Sequence, residues 1–283
     1  MRGKTCLITG ATSGIGLVAA QELARQGAQL VIVGRNAARC ETALTQVRAA
    51  SGNPNVEALL ADLSSQQQIR ALAQQFTERH SRLDVLINNA GGVRFARELS
   101  ADGLEMTFAV NHLAYFLLTH LLLDRLKAGA PARIINVSSD AHRGVSLDFD
   151  DLMGERRYRG WRAYCRSKLA NLLFTYELAR RLEGSEVTVN AVHPGWVATG
   201  FGGNNGWRGG ILQLASRWFA LTPEQGARTI VYLASSPEVA GVSGRYFVKD
   251  RAVPSSPASY EAAAAKRLWD VSMELTRLSP VAS

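Results

Sequence analysis

Short runs of apolar, β-branched residues alternate with longer amphipathic stretches along nearly the whole chain. Seven runs have the character of strands buried on both faces, at residues 5–9, 29–33, 56–61, 84–88, 133–138, 187–193 and 245–248. The stretches between them have helical periodicity, most clearly at 37–50, 66–80 and 164–182. Because repeated strand–helix alternation is typical of a parallel sheet covered by helices on both faces, we predict an α/β fold with a seven-stranded parallel sheet.

The chain of 283 residues contains no linker or low-complexity stretch that would divide it. We therefore predict a single domain spanning residues 1–283. The segment 197–221 interrupts the alternation, since it begins rich in glycine and becomes amphipathic after Ile211. A lid over the carboxyl edge of the sheet is our interpretation of this segment, and packing on a second subunit or contact with a membrane surface are the alternatives.

The formal charge of +8 favours anionic ligands, anionic membranes or acidic partners. Charge alone does not indicate nucleic-acid binding, and we predict no nucleic-acid partner. The densest basic stretch, 155–162, interleaves arginines with aromatic residues. It is interpreted either as a solvated loop and helix start, or as the mouth of a site that attracts phosphate or lipid headgroups.

The cysteines and histidines exclude several classes of site. Cys6, Cys40 and Cys165 are far apart in sequence and suggest no disulfide framework, and the five histidines have no metal-ligand spacing. A strand-like run begins as early as Thr5, which leaves no room for a signal peptide or a transmembrane anchor. We therefore expect a cytoplasmic protein in a reducing compartment, without a metal.

The first strand leads directly into a glycine-rich turn and a helix. Gly10, Gly14 and Gly16 have the spacing of a dinucleotide-binding turn. In such a turn the first glycine permits the tight bend, the second admits a pyrophosphate, and the third allows close helix–strand packing. The helix N-terminus then presents free N–H groups to the phosphates. The sequence thus predicts a Rossmann-type domain that binds a nicotinamide dinucleotide, the alternative being a glycine turn without a ligand.

The end of the second strand indicates which dinucleotide is bound. An acidic residue there would accept a hydrogen bond from the ribose of NAD, whereas this strand is followed by Arg35. A guanidinium suits a 2′-phosphate, so we predict NADP(H) in preference to NAD(H). Asp62, before Leu63, either binds the adenine amino group or caps the next helix, and 88–91 either approach the cofactor or form an ordinary turn.

Several motifs occur together in the order of one enzyme superfamily. They are Thr9–Gly16, 88–91, Asn111, Ser138-Ser139, Tyr164-x-x-x-Lys168 and Pro194-Gly195. With them the chain resembles the short-chain dehydrogenase/reductase superfamily over nearly its whole length. Longer strings, such as "RIINVSSDAHRG", "AYCRSKLANLLFTYELARRL" and "VHPGWVATG", resemble its retinol dehydrogenase branch. The resemblance implies hydride transfer between NADP(H) and a lipophilic alcohol or its aldehyde or ketone.

The resemblance also implies a role for each motif residue. Tyr164 would be the acid and base, and Lys168, on the same helix face, would lower its pKa and bind the nicotinamide ribose. Ser139 would hold the substrate oxygen, and Asn111 would support a water that relays protons to Lys168. The implied cofactor contacts are Gly10, Thr12, Ser13, Gly14, Ile15, Gly16, Arg35, Asp62, Leu63, Asn89, Ala90, Gly91, Tyr164, Lys168, Pro194, Gly195, Val197 and Thr199.

The substrate is expected to contact Ser139, Tyr164, Phe95, Trp196 and Phe201. The aromatic residues of this set suit a lipophilic alcohol or carbonyl compound. Two alternative functions share the same core, namely an NADP(H)-dependent C=C reductase of the protochlorophyllide reductase type and a non-catalytic NADP(H)-sensing scaffold. The resemblance further implies a homodimer or homotetramer, assembled through the helices that carry Asn111 and Tyr164.

Overall fold

The computed structural model describes residues 1–195 and 221–278. Its sheet contains β1 (Thr5–Thr9), β2 (Gln29–Gly34), β3 (Val56–Leu60), β4 (Val85–Asn88), β5 (Ala132–Val137), β6 (Val187–His193), β7 (Arg245–Val248) and β8 (Arg251–Ala252). The spatial order is β3-β2-β1-β4-β5-β6-β7-β8, and every neighbouring pair except β7–β8 is parallel. The predicted α/β class is confirmed.

The eighth strand was not expected from the sequence. β8 contains two residues and runs antiparallel to β7. Lys249 and Asp250 form the turn between them with φ of 49° and 63°, a conformation that two-residue hairpins require. The hydroxyl of Thr229 and the guanidinium of Arg228 both hold the Asp250 carboxylate, at 2.8 and 2.6 Å. No glycine or asparagine marks this turn, and the contacts of Asp250 with Arg228 and Thr229 hold it in place.

Helices cover both faces of the sheet, as predicted. They are α1 (Gly14–Arg25), α2 (Ala37–Ser51), α3 (Gln66–Arg79), α4 (Met106–Phe108), α5 (Ala114–Leu121), α6 (Leu123–Ala128), α7 (Gly160–Arg181), α8 (Pro223–Ser235) and α9 (Ala262–Leu275). Buried residues of α1, α2 and α8 form one core with the sheet, and those of α3, α5 and α7 form another. Ile8 and Leu7, adjacent on β1, belong to opposite cores, as alternation along a strand requires.

A π-helical turn, Ala109–Leu113, separates α4 from α5. Such a turn rotates the residues that follow it relative to an ordinary α-helix, and it is common at functional sites. Asn111 and His112 lie in this turn, and both are fully buried. An amide in the middle of a helix would ordinarily face solvent, so this turn accounts for the inward position of Asn111.

The helix α9 forms an outer layer over α5 and α7. Trp269 packs edge-on against Phe116 at 5.1 Å between ring centroids. The Arg181 guanidinium lies 4.0 Å from the centroid of the Trp269 ring. Gln66 and Arg70 of α3 donate hydrogen bonds to carbonyl oxygens at the C-terminal end of α9. The chain itself thus covers part of the α5–α7 face through which a homodimer or homotetramer was predicted, and that assembly stays a prediction.

No helix in the described ranges has the length and apolar character needed to cross a bilayer. The predicted lid at 197–221 lies outside the described residues except for Leu221, which packs against Gly195.

Candidate active site

One cleft of about 690 Å³ lies at the carboxyl edge of the parallel strands. Every predicted cofactor contact within the described residues lines it, namely Gly10, Thr12, Ser13, Gly14, Ile15, Gly16, Arg35, Asp62, Leu63, Asn89, Ala90, Gly91, Tyr164, Lys168, Pro194 and Gly195. Ser139 and Asn111 line the same cleft. Of the other predicted contacts, Trp196, Val197, Thr199 and Phe201 lie outside the described residues.

The glycine-rich turn has the geometry that its spacing predicts. Gly10 has φ of 68°, and a Cβ there would lie 2.8 Å from the Ala90 Cα. Gly14 also adopts a positive φ, 57°. A Cβ on Gly16 would lie 2.5 Å from the Gly10 carbonyl oxygen, so only glycine permits α1 to pack this closely on the turn.

Thr9 and Asn89 hold this turn against the loop that follows β4. The Thr9 hydroxyl oxygen accepts hydrogen bonds from the backbone N–H groups of Asn89 and Ala90, at 2.9 and 3.1 Å. The Asn89 amide donates back to the carbonyl oxygen of Thr9 at 2.9 Å. Asn89 therefore shapes the floor of the cleft with its side chain.

The N-terminus of α1 fits a phosphate. Asn36, Ser65 and Thr222 cap α2, α3 and α8 with side-chain oxygens that accept backbone N–H groups. Ser13 stands at the corresponding position of α1 and makes no such side-chain cap. The first N–H groups of α1 therefore face the glycine-lined cleft without a side-chain acceptor, as a pyrophosphate site requires.

Two arginines line the cleft beyond β2. Arg35 follows the strand directly, and Arg39 lies in the first turn of α2. The sequence prediction missed Arg39, although a position one helical turn after Arg35 was the available signal. Both residues line the cleft beyond the end of β2, the strand end at which Rossmann folds bind the ribose of an adenosine, and no carboxylate occupies the end of the strand.

Asp62 does not cap the following helix. Its carboxylate accepts hydrogen bonds from the N–H and the hydroxyl of Ser64, at 3.0 and 2.8 Å, while Ser65 caps α3. The capping alternative is therefore wrong. Asp62 lines the cleft, as does the largely buried Leu63.

Ser139, Tyr164 and Lys168 meet at the opposite end of the cleft. The Ser139 side chain hydrogen-bonds to the Tyr164 phenol, and the Ser139 oxygen also accepts the N–H of Ala141 at 3.2 Å. The Lys168 ammonium lies 5.6 Å from the centroid of the Tyr164 ring and donates to the Val137 carbonyl oxygen at 3.0 Å. The predicted triad of Ser139, Tyr164 and Lys168 is thus assembled from the loop after β5 and from α7.

Burial shifts the pKa values of Tyr164 and Lys168. It raises the pKa of Tyr164 to about 12, an effect that the hydrogen bond from Ser139 only partly offsets. It also lowers the pKa of Lys168 to about 7. The expectation that Lys168 lowers the pKa of Tyr164 stays a prediction, because desolvation is the largest influence on the tyrosine pKa in this structure and raises it.

A histidine anchors the loop that carries Ser139. His142 is fully buried, its Nδ1 contacts the Ser139 carbonyl oxygen at 2.6 Å, and its Nε2 accepts the N–H of Ser256 at 3.0 Å. Since Nδ1 must be the donor in this arrangement, His142 is neutral, and burial lowers its pKa. No local pattern in the sequence predicts this contact, because Ser256 is distant along the chain.

The Asn111 side chain fastens the loop after β4. Its Nδ2 donates to the Gly92 carbonyl oxygen and to the Ser167 hydroxyl, both at 2.9 Å, and its Oδ1 accepts the Gly92 N–H at 2.9 Å. A Cβ on Gly91 would lie 3.1 Å from Asn111 Oδ1 and 3.5 Å from Lys168 Nζ. Asn111 thus lies next to Lys168, and its role in a water relay stays a prediction.

The open side of the cleft is lined by residues of mixed polarity. They are Gly92, Val93, Arg94, Met106, Thr107, Val110 and Trp161. Trp161 is 44% exposed and stacks on the Tyr164 ring at 5.3 Å between centroids. The sequence placed it three residues before Tyr164 on one helix face, which was the signal that could have identified it.

Phe95, predicted to contact substrate, is not among the residues that line this cleft. A Cβ on Gly160 would lie 2.1 Å from the Arg94 carbonyl oxygen and 2.6 Å from the Phe95 Cα. This tight backbone packing against α7 fixes the loop so that Arg94 reaches the cleft in place of Phe95. In the described part of the chain, no cluster of three or more His, Cys, Asp or Glu side chains could hold a metal ion.

Comparison with known proteins establishes the family. The family model described as short chain dehydrogenase matches residues 4–206, which include the glycine-rich turn, Ser139, Tyr164 and Lys168. This chain is a short-chain dehydrogenase. It is 45% identical to human retinol dehydrogenase 13 over 98% of this chain and 85% of that protein. It is 46% identical to human retinol dehydrogenase 14 over 96% of this chain and 86% of that protein.

Solved structures agree with this assignment. A protein of unassigned function from Mycobacterium paratuberculosis shares 35% identity and a TM-score of 0.80, covering 98% of this chain and 94% of that one. RhlG of Pseudomonas aeruginosa, solved with NADP at its active site, shares 30% identity and a TM-score of 0.69, and the match covers 87% of this chain and 94% of the RhlG chain. The short-chain dehydrogenase described here therefore belongs to the retinol dehydrogenase-like branch, and is an oxidoreductase of alcohol and carbonyl groups with a nicotinamide cofactor.

Proposed function

We propose that this protein is an NADP(H)-dependent oxidoreductase that interconverts a lipophilic alcohol and its aldehyde or ketone. The observation that carries the proposal is the convergence of Ser139, Tyr164 and Lys168 at one end of a cleft whose other end holds Arg35 and Arg39. A proton donor and a cationic pair at opposite ends of a glycine-lined cleft match the two ends of a phosphorylated dinucleotide.

Arg35 and Arg39 give the preference for NADP(H). Their guanidinium groups can bind the 2′-phosphate with paired, charge-assisted hydrogen bonds. The absence of a carboxylate after β2 removes the acceptor that the 2′-hydroxyl of NAD would need. RhlG, which shares the fold, was solved with NADP at its active site, and this supports the choice.

When bound, NADPH supplies the hydride for the carbonyl carbon, and NADP⁺ takes it back in the reverse direction. Tyr164 donates the proton to the carbonyl oxygen during reduction. Its raised pKa, about 12, keeps the phenol protonated at neutral pH, which is the form that reduction needs. Ser139 stabilises the charge that develops on the oxygen by donating to it the O–H that hydrogen-bonds to Tyr164 in the free protein, while the Ala141 N–H holds the Ser139 oxygen in place.

Lys168, beside Tyr164 in the cleft, would hold the nicotinamide ribose. The Lys168 ammonium donates one hydrogen bond to the Val137 carbonyl oxygen at 3.0 Å. Its other N–H groups can therefore donate to the ribose hydroxyls. The bond to Val137 also limits the rotamers of a long side chain, which lowers the entropic cost of ordering it when the cofactor binds.

The position of Trp161 favours the binding of a lipophilic substrate. Its exposed indole extends the aromatic surface of Tyr164 at the entrance to the reaction centre. Such a surface binds flat or conjugated apolar groups through area burial and ring stacking. The curated relatives are named for retinol, a conjugated alcohol, which agrees with this feature.

The test is NADPH consumption against a panel that contains retinal, saturated aldehydes, a ring ketone and a conjugated alkene. We expect aldehydes or ketones to be reduced to alcohols, and Tyr164→Phe to lower kcat by roughly 10² to 10⁴ with little change in NADPH affinity. Near-normal turnover in Tyr164→Phe would contradict the mechanism. Reduction of the alkene alone would reassign the reaction to C=C reduction, and NADPH binding without turnover of any compound would favour a sensing role.

A further inference from the structure

A buried line of hydrogen bonds connects α9 with the catalytic lysine. The Ser272 hydroxyl lies 3.0 Å from His112 Nε2, and His112 Nδ1 lies 3.3 Å from Asn171 Oδ1. Asn171 Nδ2 donates to the Val137 carbonyl oxygen at 3.2 Å, and that same oxygen accepts the Lys168 ammonium. Ser272, His112 and Asn171 are all fully buried, so water does not compete for these bonds.

The donors and acceptors in this line have one consistent assignment. Burial lowers the pKa of His112 to about 4, so the ring is neutral and carries one N–H. Because the amide nitrogen of Asn171 is used on Val137, its oxygen faces His112, and His112 Nδ1 must donate to it. His112 Nε2 is then the acceptor of the Ser272 hydroxyl. Every group from Ser272 to Val137 is satisfied only when α9 is docked.

The Val137 carbonyl oxygen holds the Lys168 ammonium in position by accepting its hydrogen bond. Asn171 and Lys168 lie three residues apart on α7 and donate to the same oxygen, so a shift of Asn171 changes the competition for that acceptor. Besides the His112 imidazole behind Asn171, the titratable groups facing Lys168 are Tyr164 and Tyr115, whose ring centroids lie 5.6 and 6.0 Å from Nζ.

We propose that His112 is a positioning residue that transmits the docking of α9 through Asn171 to Lys168. The proposal rests on the proposed function, in which Lys168 orients the cofactor beside Tyr164. His112 does not line the cleft. It acts by fixing the amide of Asn171, and Ser272 makes that action dependent on α9.

A matched control separates this role from simple core stability. Thr276, directly after α9, is also fully buried, and its hydroxyl donates to the Ser272 carbonyl oxygen at 2.6 Å and forms no described hydrogen bond with His112. Thr276→Val therefore removes a buried hydroxyl next to the line while leaving the line intact. Ser272→Ala removes a hydroxyl of the same kind from its end.

The experiment compares Ser272→Ala, His112→Phe, their double variant and Thr276→Val in the full chain. NADPH dissociation constants are measured by fluorescence, kcat and KM by turnover of the best carbonyl substrate, and stability by urea unfolding. We expect Ser272→Ala and His112→Phe each to raise the NADPH dissociation constant and lower kcat by roughly tenfold, with an unchanged carbonyl KM. The double variant should be no worse than His112→Phe, because the two side chains act in series.

The inference is overturned if the first two variants change NADPH affinity and kcat no more than Thr276→Val does at comparable loss of stability. Additive losses in the double variant would also overturn it. If His112→Phe does not fold, Ser272→Ala against Thr276→Val decides the question. Since NADPH binding needs no carbonyl substrate, a wild-type protein that binds NADPH but reduces nothing on the panel would refute the proposed function while this comparison of dissociation constants still tests His112.

Discussion

The hydroxyl of Ser138 donates a hydrogen bond to the backbone carbonyl oxygen of Lys168 at 2.8 Å, and both groups are buried. This bond ties the end of β5 to the middle of α7, which is the junction where the catalytic side chains meet. The neighbouring Ser139 points instead to the Tyr164 phenol. Two adjacent serines therefore have separate tasks, one in the fold and one in the chemistry.

Alanine substitutions should separate these tasks. We expect Ser139→Ala to lower kcat by roughly 10²- to 10³-fold with the free energy of unfolding nearly unchanged, because it removes a donor to the developing oxyanion. Ser138→Ala should lower the free energy of unfolding by about 1 kcal/mol and retain most of the turnover. Steady-state kinetics and urea unfolding of both variants test the assignment, and the reverse pattern would exchange the two roles.

Serine substitutions at Arg35 and Arg39 test cofactor preference. Removing both guanidinium groups should lower kcat/KM for NADPH by roughly 10- to 100-fold, since each charge-assisted hydrogen bond contributes about 1.5–3 kcal/mol before losses from exposure. The kcat/KM measured with NADH should change little. Arg25→Ser, at the far end of α1, is the control for charge alone. Equal losses with both cofactors, or a wild-type preference for NADH, would contradict the assignment.

The buried Lys168 makes the stability of the protein depend on pH. Its pKa falls from 10.5 to about 7 on folding, so between these values the unfolded chain binds more protons and stability rises with pH. Lys168→Met should therefore raise the free energy of unfolding below pH 7, by about 2 kcal/mol after the lost bond to Val137 is subtracted. The gain should fade towards pH 10.5. Urea unfolding across this range measures it, and a gain independent of pH would show that desolvation is not its cause.

Trp161 should discriminate among substrates by their shape and conjugation. Trp161→Ala is expected to lower kcat/KM for a conjugated aldehyde about tenfold, through lost stacking and buried area, with a much smaller effect on a short saturated aldehyde. Trp161→Phe should retain most of the discrimination. NADPH oxidation with the two aldehydes measures the ratio, and equal losses on both would assign Trp161 a purely structural role.

The parts of the fold that repeat a local pattern were predictable from the sequence. Strand bounds agree with prediction to within one residue, because each strand is an apolar run ended by a turn. The glycine-rich turn was equally clear, since Gly10 and Gly16 are required by contacts that any side chain would break. These features depend on neighbours in sequence or on one recognisable junction.

Features that depend on distant contacts were not predictable. The π-helical turn at Asn111 has no glycine or proline to mark it, and the surrounding packing decides where the extra residue is accommodated. The raised pKa of Tyr164 reflects the depth of the site, whereas the spacing of Tyr164 and Lys168 alone suggested the opposite direction. The partner of His142, Ser256, lies more than one hundred residues away in sequence.

The position of α9 has a consequence for the synthesis of this protein. Phe116 and Phe174, which Trp269 covers, leave the ribosome long before that helix is translated, at about 5–20 residues per second. During this interval the outer faces of α5 and α7 expose aromatic surface while β6, β7 and β8 are still being added to the sheet. The nascent chain therefore exposes these apolar aromatic faces for several seconds, during which we expect it to recruit chaperones and, at high expression, to aggregate.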